Sequence, residues 1–216
     1  MPRGTFDRSV RRARTRAQLL EAAARVYSDH GVEGATLDEV AEEAGYTKGA
    51  VYDHFGSKDS LLFALLDEYL AGEVAEQVAI FEAHREAPER PRIGADRWVE
   101  HLEQDPSAFQ LFIEAWVRGQ RDPEVRARVL AAIEPMREMF RTFGQERAAE
   151  HGEARSEVLT EGAADIMAAL GVGFALLKLT DPERVPSRLL GIAYLVFIVA
   201  LTTSPEARAL IEGAFD

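Results

Sequence analysis

Cysteine is absent from the 216-residue chain. That excludes disulfides, thiolate nucleophiles and Cys-ligated zinc or iron–sulfur centres. Lysine is scarce, with 3 residues against 22 arginines. Long hydrophobic runs are missing: the longest, Leu189–Leu201, has 13 residues, whereas a membrane-spanning helix needs about 20. No transmembrane helix and no membrane partner are expected. The opening segment MPRGTFDRSVRRARTRAQ has no apolar stretch of the kind a secretory leader carries, so the cytoplasm is the expected location. Catalytic signatures are missing as well. There is no GxSxG elbow, no GxGxxG after a strand and no GxxxxGK[ST]. The histidines His30, His54, His84, His101 and His151 form neither HExxH nor ExxH. The expectation is a protein that is not an enzyme, with no catalytic residues, no metal site and no cofactor.

What remains is a globular composition: 47% hydrophobic and 29% charged residues, with a net charge of −12. The charge is unevenly spread. Residues 1–60 carry nine basic and ten acidic residues, and residues 61–216 carry sixteen and twenty-seven. Arg3, Arg8, Arg11, Arg12, Arg14 and Arg16 face only Asp7, so the N-terminal stretch is a basic arm on an acidic protein. Local clusters of this kind decide where a polyanion docks, although a solvated tail has the same composition.

Apolar positions recur every three or four residues throughout, and no stretch alternates with period two. The expected fold is all-α. A first helix reads over about 11–29, ended by His30-Gly31. Thr36-Leu-Asp-Glu39 is a capping box opening a short helix stopped by Gly45. Thr47 caps a second short helix over 48–55, which Gly56 breaks, and Ser57 caps a long one over about 58–81. Pro88, Pro91 and Gly94 make 84–95 the best linker. Trp98, Val99 and Leu102 mark a further helix. Asp105-Pro106, Asp122-Pro123 and Ser204-Pro205 start helices over about 106–120, 123–149 and 205–214, the second kinked at Pro135. Asp181-Pro182 reads as a short turn. Two apolar helices read over about 156–179 and 186–202.

Helix, three-residue glycine turn, helix is the helix-turn-helix geometry, here 37–44, Gly45-Tyr46-Thr47 and 48–55. The second helix carries Lys48, Gly49, Tyr52 and His54 on its outer face: hydrogen-bond donors, and a glycine that permits close approach to phosphates and base edges. A plain αα-hairpin has the same spacing.

The run LLEAAARVYSDHGVEGATLDEVAEEAGYTKGAVYDHFGSKDSLL closely resembles the DNA-binding region of TetR-family transcriptional regulators. Ala22, Ala23, Tyr27, Gly31, Thr36, Val40, Ala41, Ala44, Gly45, Gly49, Tyr52, His54, Phe55, Lys58 and Leu61 fall on the family pattern. Departures are Tyr27 for Phe, Val40 for Ile, Tyr46 for Val, Thr47 for Ser and Val51 for Leu. Tyr46 matters most, because it puts a large ring in the turn. It either reaches a base or sugar or packs over the first helix. The resemblance implies an N-terminal three-helix DNA-binding domain, residues 1–57, and a C-terminal helical ligand-binding and dimerisation domain, residues 58–216. It implies phosphate contacts for Thr36, Tyr52, His54 and Lys58, and major-groove contacts for Thr47, Lys48 and Gly49. It also implies double-stranded DNA as partner, a palindrome-like operator bound by a homodimer, and repression relieved by a small-molecule effector. A helical small-molecule-binding protein that does not touch DNA is the alternative. It would explain the acidic surplus but not the match over 19–62.

Large side chains cluster on the helices after the linker. Trp98, Phe109, Phe112, Trp116, Met136, Met139 and Phe140 are the candidate wall of an apolar effector pocket, and each is also a candidate core residue. Within the helices over about 156–179 and 186–202, the stretches Ile166–Leu179 and Leu189–Leu201 are apolar nearly all round and must be covered on every side. The resemblance places the homodimer interface on these helices, with Ala168, Ala169, Gly171, Gly173 and Ala175 allowing close helix approach; a fully buried central helix pair is the alternative.

Overall fold

The computed structural model describes residues 3–87, 89–150 and 157–214, with only the backbone described for residues 3–7 and Val158. All regular structure among them is helical: α1 (Arg3–Gly34), α2 (Leu37–Glu43), α3 (Lys48–Phe55), α4 (Lys58–Ala64), a π-helical stretch (Leu65–Leu70), α5 (Ala71–Ala83), α6 (Arg90–Gln104), α7 (Ser107–Gly119), α8 (Pro123–Glu150), α9 (Glu157–Thr180), α10 (Leu189–Thr203) and α11 (Pro205–Glu212). The all-α expectation holds, and several boundaries move. The basic arm is helical from Arg3, so α1 starts well before residue 11. The expected stop at Gly31 is a break at φ 70°, ψ 161°, after which one more turn forms. The helix expected over 58–81 widens into π geometry at Leu65–Leu70, which puts Leu65, Leu66 and Leu70 together on the buried side. The expected linker is a short turn region only. Pro91 sits in the first turn of α6, where its missing N–H costs nothing. Gly94 lies inside that helix, at a place where a Cβ would stand 3.0 Å from the Phe81 ring. α8 continues through Pro135. The start expected for α9 near Ser156 lies outside the described residues, and α10 begins at Leu189 after a turn.

Two compact packing units result. One holds the described residues up to Glu73 together with Ser107–Ala132. In its core Leu19, Leu20, Ala23 and Tyr27 of α1 meet Val40, Ala41, Val51, Phe55, Leu61, Leu62 and Leu66. Leu111 and Ala115 of α7, and Val125 and Val129 of α8, join the same core. Fully buried leucines such as Leu19, Leu61 and Leu111 contribute about 1.5–3 kcal/mol each. The packing unit therefore does not end at residue 57. The motif boundary is set by local caps, whereas α7 returns from far along the chain to lie on α1.

The other unit holds Val74–Pro106 and the described residues from Ile133. Phe81 meets Phe140 and Phe143 edge-on at 6.5 and 5.7 Å, and Phe140 meets Tyr194 at 5.7 Å. The Tyr194 hydroxyl donates to the Met167 carbonyl at 3.1 Å. Small residues set the helix spacing: a Cβ on Gly191 would stand 2.9 Å from Arg92 Cγ, and one on Gly171 would stand 3.0 Å from Tyr194 Oη. Gly171 thus receives a side chain of its own chain.

α9 and α10 are not covered on every side. α10 buries Leu190, Gly191, Tyr194 and Leu201. It exposes Leu189, Ile192, Val196 and Val199, and α9 exposes Leu176, Leu177 and Leu179. Positions 189, 192, 196 and 199 form one stripe at helical spacing. Over Leu159–Thr180, α9 is long and apolar enough to cross a membrane by length and composition, because its polar residues are spread thinly. This corrects the inference drawn from the 13-residue run. Within its unit, three charged side chains of α9 are paired: Asp165 with Arg137, Glu161 with Arg141, and Lys178 with Glu103.

Candidate nucleic-acid interface

The α2–turn–α3 segment is built by its caps. The Thr36 hydroxyl accepts from Glu39 N at 3.2 Å, and the Glu39 carboxylate accepts from Thr36 N at 2.8 Å. α2 ends in a Schellman turn: Tyr46 N donates to Ala41 O at 2.8 Å and Gly45 N to Glu42 O at 3.0 Å. Gly45 sits at φ 69°, a left-handed conformation that a Cβ would strain. The Thr47 hydroxyl then accepts from Ala50 N at 3.3 Å and starts α3. Val51 and Phe55 hold α3 against the core, which turns the opposite face outward.

That outer face carries Thr47, Lys48, Gly49 and Tyr52, all exposed. A Cβ on Gly49 would meet only Thr47 Oγ1, at 3.8 Å, so the chain itself leaves this surface open for close approach. Lys48 Nζ donates to Asp38 at 2.8 Å and lies 5.9 Å from the Tyr52 ring. The Asp38 carboxylate raises the Lys48 pKa. Sequence reasoning passed over Asp38, although its place in the first turn of α2 was legible.

The other candidates are spread around the unit. Tyr46 is half-buried and packs over α1. Its hydroxyl donates to Gln18 Oε1 at 2.7 Å and lies 3.4 Å from the Thr15 hydroxyl. Of the two possibilities for this ring, the packing one matches these contacts. Thr36 is a capping residue whose hydroxyl also donates to Glu39 Oε2 at 2.8 Å, so a carboxylate adjoins the expected phosphate contact. His54 is half-buried, and burial, helped by Arg12 and Arg16, holds its pKa below the ordinary imidazole value. Lys58 Nζ donates to the Glu33 carbonyl at 2.7 Å, near the end of α1.

The basic arm divides. Arg16 turns inward: its guanidinium covers the Phe55 ring at 4.6 Å, pairs with Glu68 and donates to the His54 carbonyl at 3.3 Å. Arg12 donates to the Asp53 carbonyl at 3.1 Å. Arg8, Arg11 and Arg14 are exposed.

The seven candidate pocket residues fall in different packing units. Phe109, Phe112 and Trp116 belong with α1, and Trp98, Met136, Met139 and Phe140 belong with α9 and α10. Met139 and Phe140 are core, with Trp98 and Met136 half-buried beside them. Phe112 packs at the edge of the first core, and Trp116 is 51% exposed. Leu111, Ala115 and Gly119 face inward, and the larger rings lie beside or opposite them. Among the described residues, a cleft of about 160 Å³ lies elsewhere, lined by Arg85, Arg90, Phe143 and Glu146 among others, and by none of the seven.

Capped helix, Schellman turn and outward-facing short helix define a helix-turn-helix protein whose regular structure is helical throughout the described residues. Residues 19–65 match the model of the bacterial regulatory proteins of the tetR family. This segment is similar to the DNA-binding region of TetR-family transcriptional regulators. The chain is 31% identical over 119 residues to the transcriptional activator FasR of Mycolicibacterium smegmatis, covering 55% of this chain and 53% of that one. It is 40% identical over 81 residues to the transcriptional repressor AcnR of Corynebacterium glutamicum, covering 35% and 43%. The matches thus span about half the length of these curated relatives. Among solved structures, the regulator FadR of Bacillus subtilis in complex with stearoyl-CoA superposes with a TM-score of 0.69 at 16% identity, over 85% of this chain and 97% of that one. That likeness establishes the fold.

Proposed function

We propose that the protein is a ligand-responsive transcriptional regulator, acting as a repressor, that binds a palindrome-like operator as a homodimer. The observation that carries this reading is the exposed row Thr47, Lys48, Gly49 and Tyr52 on a short helix held from behind by Val51 and Phe55. Lys48 suits the O6 and N7 acceptors of guanine, and Tyr52, His54, Lys58 and Thr36 suit phosphates. Tyr46 serves by fixing the turn on α1. Residues 1–57 form the DNA-binding part, and residues 58–216 bind the effector and the second subunit. The protein works in the cytoplasm.

Dimerisation through α9 and α10 is supported by their exposed apolar stripe, since contiguous apolar surface of this kind marks an interface. A small apolar or amphipathic effector releases the protein from DNA. The stearoyl-CoA bound to FadR, which shares this fold, is an amphipathic molecule of this class. Side chains from the set Trp98, Met136, Met139 and Phe140 are the proposed contacts in the second unit. Effector binding shifts the helix that begins at Lys58, whose π-helical stretch is a natural place for a change of register. A gel shift with DNA upstream of the protein's own gene tests the reading. Retardation that candidate effectors reverse supports it. Binding no tighter than to scrambled DNA would favour a helical carrier that does not touch DNA.

A further inference from the structure

We propose that Asp38 is a specificity-determining residue of the DNA interface: it holds Lys48 in the free protein and selectively weakens binding that offers only phosphate contacts. The proposal rests on the DNA-binding reading above and concerns the same surface.

Asp38 and Lys48 stand in the first turns of α2 and α3, and their charged groups meet at 2.8 Å. Both side chains are more than half exposed, at 61% and 56%, so the protein does not bury the pair. Exposed pairs of this kind are worth about 0–1 kcal/mol and open readily. What replaces the pair decides the outcome. A phosphate attracts Lys48 but repels Asp38, and the two opposite charges nearly cancel toward it. The major-groove edge of guanine is uncharged. It accepts from Lys48 through O6 and N7 with little penalty from the carboxylate. Asp38 therefore acts mainly against sequence-independent docking, which depends almost wholly on phosphate contacts. The surroundings reinforce this. Glu42 and Glu43 on α2 are exposed, and Arg25, the cation facing them from α1, is paired with Glu43. Lys48 is thus a cation that Asp38 can release or withhold at the centre of the face.

The test uses fluorescence anisotropy on the full chain, with a duplex selected from a random library by the parent protein and a scrambled duplex of equal length. The proteins are the parent, Asp38→Asn, Lys48→Met and the double variant, each checked by circular dichroism. Asp38→Asn should tighten the scrambled duplex about threefold or more at 50 mM salt and the selected duplex less than twofold. Its gain is one freed phosphate contact, which adds about 0.9 to the slope of log K against log salt. That gain should therefore shrink about 3.5-fold between 50 and 200 mM salt. In the Lys48→Met background the substitution should shift both duplexes by one common factor. Equal tightening of both duplexes with Lys48 present would overturn the proposal, as would loss of affinity for the selected duplex. A parent protein that selects no duplex over the scrambled one would instead overturn the DNA-binding reading itself.

Discussion

Replacing Arg16 with methionine tests how α3 is held. Methionine keeps most of the apolar stem and removes the guanidinium. Three interactions are lost: the pair with Glu68, the cover over Phe55 at 4.6 Å and the hydrogen bond to the His54 carbonyl at 3.3 Å. The pair is partly exposed, 31% on Arg16 and 46% on Glu68, so it is worth about 0.5–1 kcal/mol. The cation–ring contact adds about 0.5–1 kcal/mol, and the long hydrogen bond about 0.5–1 kcal/mol. The expected destabilisation is about 1.5–3 kcal/mol, which lowers the melting temperature of a chain this size by about 3–12 °C. Scanning calorimetry measures the loss, and a double-mutant cycle with Glu68→Gln isolates the pair at about 0.5–1 kcal/mol. The bond from Arg16 holds the Glu68 carboxyl below its ordinary value. Its contribution should therefore be present above the unfolded carboxylate pKa of about 4.3 and fade as pH falls through the lower folded value. An Arg16→Met loss below about 0.5 kcal/mol, or one that does not shrink in acid, refutes this reading of the strut.

Trp116→Ala should change stability by less than about 1 kcal/mol, since half of the ring is already in water; a loss of about 3–5 kcal/mol, the usual cost of removing a core tryptophan, would show it to be core. Tyr46→Phe should leave the affinity for a selected duplex within about twofold, because its hydroxyl is engaged by Gln18; a tenfold loss in anisotropy would make it a DNA contact, about 1.4 kcal/mol. His54, whose pKa burial and then Arg12 and Arg16 hold below the ordinary imidazole value in the free protein, should bind a proton more readily beside a phosphate, so affinity should rise as pH falls from 8 to 6. His54→Gln should remove that rise in a pH titration, and an unchanged profile would take His54 off the interface. Val196→Glu, in the exposed stripe of α10, should convert a dimer to monomer in sedimentation velocity, and an unaltered sedimentation coefficient would place the interface elsewhere.

The parts that were legible in the sequence are those fixed by local chemistry. Thr36, Thr47 and Ser57 cap the helices expected of them. Gly31, Gly45 and Gly56 supply left-handed backbone where elements end. These signals act within a few residues, so the helix-turn-helix could be read directly. Non-local packing was not legible. Nothing near Ser107–Gly119 states that Leu111 and Ala115, rather than the larger Phe109 and Trp116, will face α1. α10 is apolar all round, so periodicity could not say which stripe would meet α6 and which would stay exposed. Arg16 looked like one more arginine of a basic arm, and only the approach of Glu68 from a distant helix turns it into a strut. Asp38 looked like an ordinary first-turn carboxylate until Lys48 was seen beside it.

Hydroxyl-radical footprinting of the parent protein on a selected duplex tests most directly whether a twofold dimer reads DNA through α3. The expected result is two symmetry-related protected patches with centres about one helical turn, or a multiple of it, apart. Lys48→Ala should weaken both patches equally. A single asymmetric patch, or protection that survives unchanged in Lys48→Ala, would contradict it.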